Sequence, residues 1–545
     1  RDQPRSRGLG DVYKRQMCLL SFILFMQGDG IGDSMYNKVL SGTLHGVEGR
    51  LIAVEADVSE GLPSFNMVGF LASEVREASD RVRTALKNSG YQIPPKKITV
   101  NLSPADVRKE GSAFDLPISI ALLAAYGYIP EEYTRDILFI GELSLNGDVC
   151  GVRGILPVVD FARSKGVTRI ILPYGNRKEA SIIPDMEIIG VKNLKQAVEH
   201  LLGNHLITPE SFARNNRRVT AEFKEDFSDV KGQHILKRAT EIAVAGMHNI
   251  LYMGPPGAGK SMIAKRIPTI MPELSYEESV ELTKIYSVNG MLDPESGLMS
   301  NRPFRMPHHS ITAHALIGGG MNPKPGEISL AHHGVLFLDE FLEFQKNVIE
   351  MMRQPLEDGQ VTISRLQGNY TFPSDFMLVA AMNPCPCGYY PDRQRCHCSR
   401  TQIARYLRKV SQPMLDRIDM NISVKRIEYD ELYGEGIEES SAKIKRRIMT
   451  AQQVQQKRLK PFRIQFNSQI PASALEEVCQ LGIEERKMRK DIFEQYKLTA
   501  RGAGKVLRVA RTIADLDHSE KVKCDHLWEA LSYRMSDFYQ GGAEQ

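Results

Sequence analysis

The 545-residue sequence lacks a dense set of cysteines, a strong net charge and a long apolar run. Its eight cysteines are too few for a disulfide-stapled secreted scaffold in so long a chain, so we expect a protein of the reducing cytoplasm. The formal charge of +4 permits a nucleic-acid partner and gives no argument for one. The apolar run at residues 17–26 is too short to span a bilayer, and we expect no membrane association.

The most informative stretch reads NILYMGPPGAGKS at residues 249–261. A strand-like apolar run enters a glycine-rich turn and a helix-like segment follows, which is the context of a phosphate-binding loop for ATP. Glycines let backbone N–H groups approach phosphate oxygens, and the helix N-terminus adds partial positive charge. We predict that Lys260 reaches the β- and γ-phosphates and that Ser261 ligates Mg²⁺. The predicted nucleotide-binding residues are Gly254, Pro255, Pro256, Gly257, Ala258, Gly259, Lys260 and Ser261.

Two later apolar runs also end in polar residues that suit a nucleotide site. Residues 334–340 read GVLFLDE, in which we expect Asp339 to hold Mg²⁺ and Glu340 to deprotonate the attacking water. Residues 376–382 form a third predicted strand, and Asn383 at its end would sense the γ-phosphate. Alone, the acids would be a surface pair and the asparagine a turn former. Their position after a phosphate loop favours the catalytic interpretation.

Four cysteines form two C-x-C pairs: Cys385, Cys387, Cys396 and Cys398. Four thiolates can close a tetrahedral Zn²⁺ site, with His397 as a substitute ligand; four free thiols are the alternative. A basic stretch overlaps the cluster and is either a nucleic-acid contact or a solvated helix face. Its members are Arg393, Arg395, Arg400, Arg405, Arg408 and Lys409.

Two further segments are candidates for contacts outside the nucleotide site. Residues 359–373 predict a β-hairpin that turns at residues 368–369, with Arg365 near its tip as a nucleic-acid contact or solvated surface. Its expected facing residues are Val361, Ile363 and Leu366 opposite Tyr370 and Phe372. A histidine-rich segment at residues 303–320 predicts a loop lining a pore or a subunit contact rather than a metal site. Its histidines are His308, His309 and His314.

The region from residue 36 to about residue 202 has a mixed α/β pattern. Strands are predicted at residues 51–58, 98–102, 137–140 and 169–172. A helix at residues 116–125 and a longer one that Ser73 caps and Gly90 ends complete the pattern. The apolar face of the longer helix comprises Val75, Ala78, Val82, Ala85 and Leu86.

Several stretches, including GLPSFNMVGF at residues 61–70 and GELSLNGDV at residues 141–149, resemble the Lon-protease-like domain of the ComM family of magnesium-chelatase-like AAA+ ATPases. The resemblance puts Ala113 and Leu156 where active Lon-type proteases have their catalytic serine and lysine, with Ser112 one place off. It therefore implies a non-proteolytic scaffold in this region.

The same resemblance assigns roles to residues outside the phosphate loop. Met-Leu-Asp-Arg at residues 414–417 is similar to the family's arginine-finger motif, which implies that Arg417, supported by Asp416, acts on a neighbouring subunit's nucleotide. Residues 498–516 resemble the family's lid, with Arg508 at the sensor-2 position and Asn383 at sensor 1. Val230 and Gln233 precede the phosphate loop where related ATPases contact adenine.

These features together predict an α/β fold with three structured regions. An AAA+ P-loop NTPase core follows an N-terminal Lon-protease-like (ribosomal S5 domain 2-like) α+β domain and precedes a C-terminal helical lid. The expected boundaries are a non-native or upstream extension at 1–34, the Lon-like domain at 35–205, a linker at 206–228, the core at 229–428, a linker at 429–441 and the lid at 442–545.

The resemblance implies a ring-forming, usually hexameric, ATPase that moves along single-stranded or branched DNA. Its expected role is branch migration during recombination of incoming DNA in natural transformation. The motifs support ATP hydrolysis with Mg²⁺, whereas DNA is merely compatible with the composition and spacing. The alternatives are a chelatase motor subunit that inserts Mg²⁺ into a porphyrin, a Lon-like protease and a nucleotide-gated assembly scaffold.

Overall fold

The computed structural model describes residues 35–211, 223–293, 297–365, 368–433 and 438–534. The predicted extension at residues 1–34 lies outside these ranges, as do parts of both predicted linkers and the end of the predicted lid. Within the described part of the chain, no helix has the length and apolar character that a bilayer crossing requires.

A seven-stranded mixed sheet forms the centre of the amino-terminal region. The strands of this region are β1 Met35–His45, β2 Glu48–Ser59, β3 Ser64–Val68, β4 Lys97–Ser103, β5 Ile137–Phe139, β6 Glu142–Leu143, β7 Val149–Cys150, β8 Arg169–Pro173 and β9 Glu187–Val191. The sheet order is β3-β4-β2-β1-β5-β8-β9, and β6 pairs with β7 separately. Every second residue of β2 from Ile52 to Val58 is buried, which gives the sheet an apolar face against which helices pack.

Six helices cover this sheet: α1 Ser73–Arg76, α2 Ala78–Asn88, α3 Asp115–Ala125, α4 Ile155–Ser164, α5 Arg177–Ala180 and α6 Leu194–Leu201. Almost every residue of α3 is buried, in keeping with its small and apolar sequence. Asp115 at the start of α3 is fully buried and pairs with Arg81 at 2.8 Å. This pairing gives the buried carboxylate a charged partner.

The four strands and the small-residue helix predicted for this region are confirmed, with ends that differ by at most three residues. The helix predicted to start with a Ser73 cap is different. It is divided at Glu77 into α1 and α2, and Ala72 precedes α1 without a side-chain cap. The apolar face from Val75 to Leu86 is nevertheless buried as expected, because both helices keep the helical spacing.

A parallel five-stranded sheet forms the second region, in the order β11-β14-β17-β10-β18. The strands here are β10 Ile250–Met253, β11 Phe304–Arg305, β12 Gly318–Gly319, β13 Lys324–Pro325, β14 Val335–Leu338, β15 Gln360–Arg365, β16 Gly368–Pro373, β17 Met377–Met382 and β18 Met420–Ser423. Strands β10, β14 and β17 are buried at every residue. Because all five strands are parallel, their carboxyl ends meet at one edge of the sheet, where ligands bind in such folds.

Helices surround this sheet, and two small hairpins, β12–β13 and β15–β16, lie beside it. The helices are α7 His234–Gly246, α8 Lys260–Ile270, α9 Tyr276–Asn289, α10 Ala313–Ile317, α11 Glu327–Leu330, α12 Lys346–Met351, α13 Pro355–Asp358, α14 Arg400–Leu407, α15 Gln412–Leu415 and α16 Tyr429–Tyr433. The hairpin of β15 and β16 pairs Val361 with Phe372 and Ile363 with Tyr370, as predicted. The predicted turn residues Gly368 and Asn369 belong to β16, where they pair with Arg365 and Ser364, and Leu366 lies outside the described residues.

The carboxyl-terminal region is helical, as the lid prediction required: α17 Ser441–Leu459, α18 Leu475–Cys479, α19 Ile483–Gln495, α20 Ala500–Leu516 and α21 Cys524–Ser532. Helix α17 packs on α7, where Gln452 and Gln455 donate to backbone carbonyls of α7. Phe227, assigned by the sequence to a linker, is fully buried, and its N–H donates to Ser441 Oγ at 2.8 Å. The lid and the parallel sheet therefore share one apolar core.

The amino-terminal region contacts the core through α9 and the β15–β16 hairpin. Lys284 of α9 pairs with Asp160 of α4 at 2.6 Å, and the Tyr276 hydroxyl donates to the Ile182 carbonyl at 2.9 Å. The rings of His45 and Tyr370 lie 4.6 Å apart, which joins the turn after β1 to the hairpin.

Candidate active site

The predicted phosphate loop lies between the end of β10 and the start of α8. Gly257 and Gly259 have φ values of +76° and +86°, the left-handed region that glycine adopts without strain. A Cβ added to Gly254 would lie 2.4 Å from the Val424 carbonyl oxygen, so the close approach of β10 to β18 requires glycine there. The backbone from Gly254 to the first turn of α8 thus has the curled geometry that an anion-binding loop needs.

Lys260 is nearly buried at the first position of α8. Its Nζ donates to the carbonyls of Gly254 at 2.6 Å and Pro255 at 2.9 Å, and lies 3.3 Å from Asn383 Oδ1. Burial lowers the pKa of Lys260 to about 8, and the Asp339 carboxylate acts in the opposite direction. The structure therefore brings the predicted phosphate-binding lysine and the predicted sensor asparagine together.

Ser261 and Asp339 also meet at this edge. Ser261 Oγ donates to Asp339 Oδ2 at 2.6 Å, which joins the start of α8 to the end of β14. A hydroxyl and a carboxylate are oxygen ligands of the kind that Mg²⁺ prefers. This pair of side chains fits the predicted Mg²⁺ shell.

Glu340 follows directly and has a left-handed backbone, with φ of +50°. Its N–H donates to Asp339 Oδ1 at 2.9 Å, and 59% of its side chain is exposed. Its Oε2 lies 3.2 Å from Nδ1 of His309, a partner that sequence reasoning did not assign to it. The signal was present, because His309 belongs to the histidine-rich segment that was expected to line a pore or subunit contact.

Arg417 lies apart from the phosphate loop of its own chain. It precedes β18, whose amino end is at the opposite edge of the sheet from the loop. Its Nε donates to the Arg353 carbonyl at 2.9 Å and Nη1 to the Pro413 carbonyl at 2.8 Å. Its carboxylate partner is Glu357 rather than the predicted Asp416.

The surroundings of Arg417 include a second arginine that the sequence did not single out. Arg501, at the start of α20, pairs with the same Glu357 at 2.9 Å. Arg417 also lines a cavity of about 460 Å³, together with Glu350 and Arg353. This face of the chain therefore presents two guanidinium groups that share one carboxylate.

The structure does not bring Arg508 to the phosphate loop within one chain. Its Nε donates to the Ile470 carbonyl at 2.8 Å, and burial lowers its pKa, with Asp419 acting in the opposite direction. Asp419 lies just before β18, a strand about 13 Å long whose other end adjoins the loop. Lys505 of the lid pairs with Asp419 at 2.8 Å, so this part of α20 contacts the edge of the sheet opposite the phosphate loop.

The two residues expected to contact adenine have different placements. Gln233 precedes α7 with φ of +55°, and its Nε2 donates to the Ala258 carbonyl of the phosphate loop at 3.2 Å and to the Lys425 carbonyl at 2.7 Å. Val230 is 1% exposed and is part of the core packing. Gln233 is therefore the one of these two that touches the loop.

The four cysteines of the predicted Zn²⁺ site converge, with all their sulfur atoms within 4.8 Å of one another. The group found among the described residues does not include His397. A second group of metal-ligand types consists of Glu281, His332 and His333. There the Asp375 N–H donates to His332 Nδ1 at 3.0 Å, so a neutral ring carries its proton on Nε2, the atom that faces Glu281. The geometry of that group is therefore explained by hydrogen bonding alone.

In the amino-terminal region, Leu156 is fully buried and Ala113 packs against the same apolar cluster. The hydroxyl of Ser112 donates to Glu142. The two positions that the resemblance would align with the catalytic serine and lysine of Lon-type proteases are thus apolar residues of one cluster.

A parallel sheet with a glycine loop, a serine–aspartate pair and a following glutamate at its carboxyl edge, together with a helical lid, defines a P-loop ATPase of the AAA+ type. Three family models match the chain: "Magnesium chelatase, subunit ChlI" at residues 226–432, "Subunit ChlI of Mg-chelatase" at residues 54–176 and "Magnesium chelatase, subunit ChlI C-terminal" at residues 438–534.

Similarity to individual proteins extends over nearly the whole chain. The competence protein ComM of Haemophilus influenzae is 39% identical over 91% of this chain and 97% of its own length. The protein YifB of Escherichia coli is 40% identical over 90% of this chain and 96% of its own length. A shorter similarity, 26% identity over 30% of this chain and 31% of the relative, is to Lon protease 2 of Bacillus subtilis. The chain belongs to the magnesium-chelatase ChlI-like family of AAA+ ATPases and is a homologue of ComM.

Proposed function

We propose that this ATPase assembles into a ring, as a hexamer, and couples ATP hydrolysis to movement along single-stranded or branched DNA. Its role would be branch migration during recombination of incoming DNA. The observation that carries the ATPase part is the meeting of Ser261 with Asp339 beside Lys260 and Asn383, at the edge where a nucleotide binds to such a sheet.

Each polar group at the edge has a distinct part in the proposed hydrolysis. Lys260 would exchange its loop carbonyls for phosphate oxygens, and Ser261 with Asp339 would hold Mg²⁺. When bound, this ion would supply positive charge that offsets the charge of the phosphates. Glu340 accepts a proton from the attacking water, which Asn383 orients. Within one chain, the groups that take part in the proposed reaction therefore lie at one edge of the sheet.

The position of Arg417 on another face of the chain supports hydrolysis shared between subunits. Since Arg417 does not reach its own phosphate loop, we assign it to the nucleotide of the neighbouring subunit, where it offsets the negative charge of the transition state. Arg508 donates to the Ile470 carbonyl and lies near Asp419, at the edge of the sheet opposite the phosphate loop. We therefore assign any action of Arg508 on a nucleotide to the neighbouring subunit as well.

The DNA part of the proposal is supported by one basic stretch and by one arginine at the tip of a hairpin. All six basic residues of the stretch from Arg393 to Lys409 are exposed. Arg365 at the tip of the β15–β16 hairpin donates to the Gly320 carbonyl at 3.4 Å, which joins that hairpin to the β12–β13 hairpin. Such exposed arginines neutralise phosphates without reading base sequence. The name of the Haemophilus influenzae relative assigns that protein to competence, which agrees with this proposal.

A second candidate function is that of a chelatase motor subunit, which the names of the three matching family models favour. Its ATP hydrolysis would respond to a porphyrin-inserting partner and not to DNA. The two candidates share the same nucleotide site, so they differ in what accelerates turnover.

ATP turnover of the full chain with forked DNA, single-stranded DNA or no DNA distinguishes them. We expect severalfold stimulation by DNA at low salt and its loss at high salt, because phosphate contacts weaken as counterions compete. Turnover that is unchanged by either DNA at low salt would contradict the DNA proposal while leaving the ATPase assignment intact. Strand displacement on the forked DNA is the matching readout of movement.

A further inference from the structure

Four sulfur atoms converge in the loop between Asn383 and α14. Cys385 Sγ lies 3.4 Å from Cys387 Sγ and 3.7 Å from Cys396 Sγ, and all four sulfurs lie within 4.8 Å of one another. Four thiolates bound to Zn²⁺ at about 2.3 Å in a tetrahedron lie roughly 3.8 Å apart. The spacing matches one closed tetrahedral site, and the cysteines are free thiols.

A backbone donor reaches one buried sulfur of this group. The Tyr390 N–H donates to Cys385 Sγ at 3.4 Å, and such a donor favours the thiolate form that metals require. This contact is an outer hydrogen bond of the kind that a metal's ligand receives.

The basic side chains around the cysteines and the small apolar core of the loop also favour a bound Zn²⁺ ion. A Zn²⁺ ion with four thiolates carries a net charge of −2, and residues 385–409 contain six basic side chains against one acid, Asp392. The loop's own apolar core is small, with Cys385, Cys396 and Ile403 as its buried members. So small a cluster gives little stability by itself, whereas a structural Zn²⁺ site contributes folding energy directly.

This loop also touches the nucleotide site. Gly388 has φ of +87°, and a Cβ added there would lie 2.7 Å from Pro256 Cδ in the phosphate loop and 3.8 Å from Asn383 Cγ. The backbone of the cysteine loop therefore packs directly against Pro256 of the phosphate loop and against Asn383. A rigid cysteine loop would restrict the movement of both residues.

We propose that Cys385, Cys387, Cys396 and Cys398 bind one structural Zn²⁺ ion and that this ion braces the cysteine loop against the phosphate loop. On binding, the four thiols form four Zn–S bonds and release their protons to solvent. The site has four protein ligands and no open position, so the ion takes no part in chemistry.

The test is elemental analysis of the full chain purified with reductant and without chelator. We expect about one Zn²⁺ per chain in the wild type and less than about 0.2 in Cys387→Ser and in Cys398→Ser. Cys398→His restores a Cys₃His ligand set, so it should retain Zn²⁺ where the serine variant loses it. Cys150→Ser and Cys524→Ser, outside the cluster, should keep the wild-type content.

A second measurement follows the loop itself. Limited proteolysis should find residues 384–399 protected in the wild type and cleaved at least tenfold faster after Zn²⁺ is removed by a chelator. A wild-type chain with four reactive thiols and no metal, or with iron in place of zinc, would overturn the proposal. So would Cys387→Ser or Cys398→Ser chains that retain a full equivalent of Zn²⁺. None of these readouts depends on ATP turnover or on DNA.

Discussion

Burial sets the protonation of Lys260, the residue that we expect to contact the phosphates. Its pKa is lowered from the ordinary 10.5 to about 8 because little water reaches its ammonium group. Between pH 8 and pH 10.5 the nucleotide-free protein therefore holds Lys260 neutral where an unfolded chain would hold it charged. Bound phosphates favour the charged form, so ATP binding in this range must take up a proton.

The first prediction concerns this proton. ATP affinity, measured by calorimetry with Mg²⁺ from pH 7 to pH 9, should weaken above pH 8 and reach about a tenfold higher Kd at pH 9. Lys260→Arg is the matched control, because an arginine stays charged throughout and its Kd should not follow this trend. A wild-type Kd that is the same at pH 7 and pH 9 would contradict the lowered pKa.

Glu340 is the second residue whose role can be isolated. Glu340→Gln keeps the size and hydrogen bonding of the side chain and removes its basicity, so ATP should still bind while hydrolysis falls about 10²- to 10⁴-fold. Single-turnover hydrolysis and ATP binding measure the two effects separately. Glu343→Gln, in the same segment and paired with Lys409 at 3.3 Å, is the matched control and should hydrolyse ATP normally. Near-normal hydrolysis by Glu340→Gln would remove it as the base.

At the scale of elements, the strands of the core could be predicted because each joins a short apolar run to a polar residue. The runs that end at Met253, Leu338 and Met382 are buried strands within one or two residues of their predicted bounds. The hairpin turn was misplaced because Gly368 and Asn369 are typical turn residues. In the structure they pair with Arg365 and Ser364, since the register that buries Val361 opposite Phe372 requires it.

The contacts of the arginines show what the sequence could not supply. Arg417 lies at the opposite edge of the sheet from its own phosphate loop, and the resemblance already implied a role at a neighbouring subunit's nucleotide, but its carboxylate partner Glu357 was not predicted. Glu357 and Arg501 meet across 144 positions of sequence, and no local pattern announces such a contact. Residues that share an edge with the loop were predictable, and those placed by long-range packing were not.

The hairpin of β15 and β16 gives a third prediction. Arg365→Ala should leave ATP turnover without DNA unchanged and reduce the stimulation by forked DNA severalfold, because Arg365 lies at the exposed tip beside Gly320. The slope of log affinity against log salt should fall by about one for one lost phosphate contact. Lys490→Ala, an exposed change in the lid, is the control of equal charge. Equal stimulation of both variants would show that the hairpin does not meet DNA.

At the scale of the whole molecule, the phosphate loop and Arg417 lie at opposite edges of one sheet. Under the proposed function, a single chain would therefore hold parts of two different sites. The fourth prediction uses this division. Glu340→Gln chains keep the arginine and lack the base, whereas Arg417→Ala chains keep the base and lack the arginine. Each alone should be nearly inactive, and a mixture that shares rings should regain roughly a quarter of wild-type turnover, the fraction of complete interfaces in random equal mixing.

The mixing experiment needs subunits that exchange, which coexpression of the two variants provides. The control is the mixture of Glu340→Gln with a chain that carries both changes, because no interface in it has an intact base. Turnover of the first mixture no higher than the sum of its parts would place the action of Arg417 within its own chain.

Within one chain, Glu357 pairs with both Arg417 and Arg501. Under the proposed function, Arg417 must leave this carboxylate to reach the nucleotide of a neighbouring subunit. Efficient hydrolysis would then require contact between copies, so ATP turnover per chain should fall when the protein is diluted.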